Sequence, residues 1–302
     1  MIMSRPTISI GLPVYNGERY LARSIESLLS QSFGDFELII SDNASTDRTY
    51  EICKGFAAKD KRIRYYRNEA NLGAAPNYNR VFELSSGRYF KWASHDDLYA
   101  PQCIGRCFEM IEAAPPEVVL CYPKTVLIDE EDNEIKKYDD MMDIRLSVPH
   151  ERLRHILKNL WLCNAVFGLI RIDALRMTRK IGSFFASDVI LLCELGLLGQ
   201  FWEVPEYLFL RRFHSDMSRQ AHCAATDVAA WFDPANKGKL IMPQCRFFFE
   251  YLKAINRSPL TSRQKAGCYK VLMDEWIKKY WRHMGGECKM LLQYKLGLLR
   301  QD

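Results

Sequence analysis

The sequence predicts an α/β protein, a mixed and mostly parallel sheet flanked by helices, with a helical C-terminal extension. Three observations predict it. Over the first hundred residues, short apolar runs alternate with segments whose apolar residues recur every three to four positions, which is the pattern of repeated βα units. Of the 302 residues, 48% are hydrophobic and 26% charged, which suits a packed chain and excludes a disordered one. From about Ala224 onward the patterns are helical. The length divides into residues 1–100, 101–222 and 223–302, the last a basic helical region.

Thr7–Leu12 reads as the first strand and Glu18–Gln31 as a helix. Phe36–Ser41 is the second strand, and Asp47–Ala58 a helix that Ser45 or Thr46 could cap. Ile63–Tyr66, the helix Pro76–Leu84 and the strand Arg88–Ala93 complete the series. Gln102–Glu112 then reads as a helix that stops at Pro115-Pro116. Glu117–Tyr122 and Thr125–Ile128 are separate strands before a turn at 129–133, and 138–149 is an irregular loop with solvated Asp139, Asp140 and Asp143. Asn164–Arg171 is a strand and Ser187–Leu198 a helix. Phe201–Val204 and Tyr207–Phe213 are strands divided by Pro205, and the C-terminal helices break near Pro234, Pro259 and Gly285-Gly286.

Ten cysteines show no CxxC spacing, which argues against zinc and, with no secretory signal at the start, for reduced thiols in a cytoplasmic protein. The apolar run Val189–Trp202 is interrupted by Glu194 and Gln200 and is too short to span a bilayer. Residues 237–302 carry 14 Lys and Arg against 5 Asp and Glu, whereas the rest carries 28 against 32. So basic a tail suits a peripheral contact with an anionic membrane, and no nucleic-acid partner is expected.

Each early strand runs into polar residues: Tyr15-Asn16-Gly17, then Asp42 to Asp47, then Asn68, Asn71 and Gly73, then Ser94 to Asp97. Any one cluster could be a turn. Four at successive strand ends describe one cleft at the carboxyl edge of the sheet. No GxGxxG or GxxxxGK[ST] loop is present to cradle phosphate. Asp96-Asp97 could instead hold a divalent cation, magnesium or manganese, against a diphosphate.

The stretch from Thr7 to Thr49, with Pro13-Val14-Tyr15-Asn16, Ser41 to Asp47, Asn71-Leu72-Gly73 and His95-Asp96-Asp97 in order, resembles the family-2 glycosyltransferases of GT-A fold. The resemblance implies that Pro13, Tyr15 and Glu18 line a base and ribose pocket, with Asp42 on the base and Asn71 nearby. It places Asp96 by the ribose and diphosphate and Asp97 on the metal, although His95 stands where an Asp often opens that motif. Asp188, in the first turn of its predicted helix, matches the family's catalytic base, where the helix dipole favours a carboxylate. Glu194, two turns on, is the runner-up. The segment 207–218 resembles a strand and closing loop in which Arg211 or Arg212 pairs with phosphate and His214 meets metal or phosphate. The implied activity is inverting transfer from a nucleotide-sugar, UDP-sugar foremost, to a glycan or lipid-linked acceptor. A nucleotidyltransferase would want a Gly-rich basic first loop, and the intact Asp42, Asp97 and Asp188 argue against a non-catalytic nucleotide- or carbohydrate-binding protein. Trp161, entering the acceptor half, is a candidate sugar platform.

Overall fold

The computed structural model describes residues 5–214, 231–236 and 242–296. The expected boundary at 222–223, the helical pattern at 224–230 and positions 215–218 of the closing loop lie outside these residues.

The βα series forms as its pattern predicts. Strands β1 (Ile8–Val14), β2 (Phe36–Asp42), β3 (Ile63–Arg67) and β4 (Tyr89–Trp92) alternate with helices α1 (Leu21–Leu29), α2 (Thr49–Ala57) and α3 (Ala74–Glu83). β1 pairs in parallel with both β2 and β4, and β2 with β3. Val14 faces Asp42, which in turn faces Arg67, so three strands end level and open their loops on one edge. Gly11 allows α3 to pack close, because a Cβ there would lie 2.6 Å from Val81 Cγ2.

After the two-residue β5 (Leu98–Tyr99) and α4 (Cys103–Ala113), the sheet becomes mixed. Its order is β3-β2-β1-β4-β8-β6-β9-β5, with β7 (Glu134–Tyr138) on β6 (Val118–Ile128). β8 is Leu169–Arg171 and β9 is Gln200–Arg212. Two expected pairs of strands are thus single long strands. Pro205 fits inside β9 because it lies where the ladder with β6 skips, between the pairs Pro123–Val204 and Lys124–Tyr207. There its missing N–H breaks no hydrogen bond. The expected strand at Asn164 begins instead as a 3-10 turn, Asn164–Phe167.

Helix α5 (Pro149–Asn159) follows the expected loop; proline at its start and the buried face of Arg152, Leu153 and Ile156 are its sequence signals. The short α6 (Ile172–Arg176) follows β8. Helix α7 (Ser187–Leu198) matches its expected bounds, and apolar residues on all sides leave it buried. The C-terminal helices are α8 (Pro243–Arg257), α9 (Ser262–Leu272) and, after a π-helical turn, α10 (Lys278–Lys295). No break occurs at Gly285-Gly286: nothing lies within 4 Å of either missing Cβ, so the pair forms open helix surface. Pro259 does end α8.

One core cluster covers each face of the sheet. On one face, Tyr251, Ile255, Val271 and Leu272 join Leu153 and Ile156 of α5 and Leu191 and Leu195 of α7. The C-terminal helices are therefore continuous with the central core, and each such side chain contributes about 1.5–3 kcal/mol by burial. The nine described cysteines are free thiols.

Candidate functional site

The loops after β1 and β2 are laced together before they meet any ligand. Ser45 Oγ accepts from Asn16 N at 2.9 Å, Thr49 Oγ1 from Gly17 N at 2.9 Å and Asp47 Oδ2 from Glu18 N at 2.9 Å. In return, Asn16 Oδ1 accepts from Thr46 N and Glu18 Oε2 from Arg48 N. Much of the polar motif at 42–49 therefore builds the cleft wall. Glu18 is exposed and belongs to that lacing, so it does not line the cleft. Asp42 is fully buried, and its carboxylate accepts from Ser45 N, Tyr65 Oη and Arg67 Nη1. The neighbouring Asn43 lines the cleft and holds the next loop, donating to Asn71 Oδ1 at 2.8 Å and accepting from Leu72 N. An alternating strand turns successive side chains to opposite sides, which is why the contact passes to the neighbour.

Pro13, Tyr15, Asn43, Asn71, Asp96 and His214 line one lobe of the cleft. Asp97, Asp188, Arg211 and Trp92 line a second lobe, and Tyr78, Ser94, Asp96 and Trp231 belong to both. The second lobe brings β4, at 89–92, together with α7 and β9, at 187–212. Tyr78, which the motifs do not single out, lines both lobes. Burial and the negative charges of Asp96, Asp97 and Asp188 all raise its pKa.

Asp96 and Asp97 differ in environment. Burial acts to raise Asp96, but His95, His214 and Ser94 outweigh it and leave the carboxyl lowered. Burial and then the charge of Asp96 raise Asp97, against the lowering effect of Arg211 and the Arg212 backbone. Arg212 N donates to Asp97 Oδ1 at 2.9 Å, and His214 Nε2 lies 3.0 Å from Asp96 Oδ2. Among the described residues, no three His, Cys, Asp or Glu side chains form a metal shell. Two adjacent carboxylates, one held against its charge, still fit a divalent cation whose other ligands are substrate oxygens and water. His214 sits beside Asp96, and its Nδ1 is buried with no hydrogen-bond partner among the described residues.

Arg211 and Arg212 have opposite fates. The Arg212 side chain is buried; it donates to Asp96 O, Asp129 O and Glu130 O and is ion-paired with Asp132. It thereby ties the 96–97 loop to 129–132, and Arg212 still lines the second lobe. Arg211 projects into the cleft and donates to Asn164 Oδ1. Asp188 is half-buried in the first turn of α7. Ala186, just before it, takes a left-handed conformation with φ 54°, a cost of roughly 1–3 kcal/mol that sets the approach of the helix. Glu194 is buried against Arg257 and Arg179 N, away from the cleft. Trp161 is exposed and outside the cleft lining, although Cys163 is part of it. Asp140, expected in solvent with Asp139 and Asp143, is buried and accepts from Thr125 Oγ1 at 2.9 Å.

A parallel-to-mixed sheet with a carboxylate-lined cleft at this edge defines the GT-A class of transferases. The sequence model of the family described as glycosyl transferase family 2 matches residues 9–178, and the chain belongs to that family. It is 33% identical over 130 residues to an uncharacterized glycosyltransferase of Rickettsia typhi, covering 43% of this chain and 40% of that one. A second, of Methanocaldococcus jannaschii, is 33% identical over 138 residues, or 45% and 47% of the two chains. The matches thus span less than half the length of these relatives. In fold it resembles S. aureus TarS 1-349 in complex with UDP-GlcNAc, with a TM-score of 0.66 and 14% identity over 95% of this chain and 81% of that one. The mannosyltransferase PcManGT of Pyrobaculum calidifontis, in complex with GDP-Man and Mn2+, gives 0.51 at 13% identity over 94% and 85%.

Proposed function

We propose that this chain transfers a sugar, with inversion, from a nucleotide-sugar to an acceptor hydroxyl in glycan or cell-surface polysaccharide synthesis. The observation that carries the reading is the meeting of Asp188 with Asp96, Asp97 and Arg211 in one cavity. The nucleoside occupies the lobe of Pro13, Tyr15, Asn43 and Asn71, and the diphosphate extends toward Asp96 and Arg211. Asp188 takes the acceptor proton as the hydroxyl oxygen bonds to the anomeric carbon and the bond to the diphosphate breaks. A manganese or magnesium ion on Asp97, with Asp96 beside it, would offset the charge on the departing diphosphate. Arg211 supplies fixed positive charge at the same end.

UDP-sugar is the first donor to test, because TarS is described with UDP and UDP-GlcNAc; GDP- and dTDP-sugars follow. Thermal unfolding with each nucleoside diphosphate, with and without manganese, tests the reading. A ligand at 100 times its dissociation constant adds about 2.7 kcal/mol of stability. No shift with any of the three would overturn it.

The C-terminal helices add a second part to the reading, cytoplasmic work at a membrane on a lipid-linked acceptor. No described helix is long and apolar enough to cross a membrane. On α10, however, Trp281, Cys288 and Leu292 form an exposed stripe flanked by exposed Arg282, Lys289 and Lys295. Such a face suits an anionic lipid surface. The whole chain should float with anionic vesicles at low salt and be released by high salt; equal recovery with neutral vesicles would rule the contact out.

A further inference from the structure

The cleft cation Arg211 is held by a side chain that none of the motifs contains, with a buried acid behind it. Arg211 Nη1 donates to Asn164 Oδ1. Asn164 opens the 3-10 turn before β8 and is only 2% exposed. Behind it lies Asp140, also 2% exposed, whose Oδ2 accepts from Thr125 Oγ1 of β6. Asn164 Nδ2 and Asp140 Oδ1 are both buried and neither makes a hydrogen bond among the described residues, while the Asn164 side chain acts to lower the Asp140 pKa. Four separate segments thus converge in one line: Thr125, Asp140, Asn164, Arg211.

Resting on the donor reading above, we propose that Asn164 and Asp140 are positioning residues that fix the Arg211 guanidinium for the donor diphosphate. An unsupported arginine would give up about 2 kcal/mol of rotamer entropy on meeting phosphate. Here the amide oxygen takes one of its five N–H donors and leaves the fork aimed into the cleft. Asp140 in turn orients the amide, so that its oxygen, not its nitrogen, meets the cation. A buried acid placed only for packing would have been better replaced by an apolar side chain.

The test uses the whole chain with manganese and four probes: UDP, GDP, dTDP and uridine or the matching nucleoside. Calorimetry gives affinities for the wild type, Arg211→Ala, Asn164→Ala and the Arg211→Ala/Asn164→Ala double variant. Asn164→Ala should weaken the diphosphate that binds best by about tenfold and leave the matching nucleoside unchanged. The double variant should bind like Arg211→Ala alone, because the two residues act through one contact. Asp140→Asn, close to wild type in size, is the second variant should Asn164→Ala fail to fold, and it should show the same non-additivity. Additive losses, or equal weakening of nucleoside and diphosphate, overturn the proposal and leave the donor reading intact. A wild-type chain that binds none of the diphosphates overturns both.

Discussion

Glu194 on α7 and Arg257 on α8 form an ion pair that anchors the helix carrying Asp188 to the C-terminal helices. Glu194 also accepts from Arg179 N at 2.9 Å, and Arg179 pairs with the buried Glu250 of α8. Removing Arg257 leaves a buried carboxylate with one partner fewer. Arg257→Ala should therefore cost about 1–3 kcal/mol in urea unfolding. Glu194→Gln should keep turnover per folded molecule near wild type. A collapse of turnover in a folded Glu194→Gln protein would move the base from Asp188 to Glu194.

Asp188 makes the opposite forecast. Asp188→Asn keeps the size and an acceptor for Val189 N, and gives up only a charge–dipole contribution of about 0.3–1 kcal/mol. Donor binding and stability should persist while turnover falls by roughly 10²–10⁴. Normal turnover in the folded variant would reduce Asp188 to a helix-start residue.

Asp97 is held in the cleft against burial and the charge of Asp96. Asp97→Asn keeps an acceptor for Arg212 N and loses only the charge. The chain should fold, transfer should be abolished, and the manganese-dependent part of nucleoside-diphosphate binding should vanish in calorimetry. Unchanged metal-linked affinity would remove Asp97 from the metal site.

Asp42 and Asn43 can be separated by substitution. Asp42→Ala strips an acceptor from Ser45 N, Tyr65 and Arg67 and should cost about 1–3 kcal/mol. Its order of preference among UDP, GDP and dTDP should match wild type once folding is corrected for. A changed order would return base reading to Asp42.

Asp140 predicts a pH dependence of stability. Burial, against Thr125, Asn164 and Arg211, pushes its pKa up from 3.8 to about 7. Between these values the folded chain holds a proton that the unfolded chain has lost. Stability therefore falls as pH rises from about 4 to about 7, by an amount on the order of a few kcal/mol. Asp140→Asn should flatten that part of the slope in unfolding curves; an unchanged slope would assign it to other groups.

What the sequence determined by itself was local. The βα rhythm, the bounds of α7 and the clustering of polar residues at strand ends follow from periodicity and turn chemistry, which act over a few residues. Pro13, Tyr15, Asn71, Asp96 and Asp97 were legible because their loops lie at the ends of successive parallel strands. Tertiary structure alone decided which neighbours face the cleft: Asn43 in place of Asp42, and Arg211 while Arg212 is buried against 129–132. It also decided that Asp140 is buried, that Pro205 sits in a ladder skip and that the C-terminal helices share the central core. Each of these depends on what a distant segment presents to the side chain. Burial and hydrogen-bond satisfaction are set by such long-range neighbours, which strand alternation and helical period do not specify.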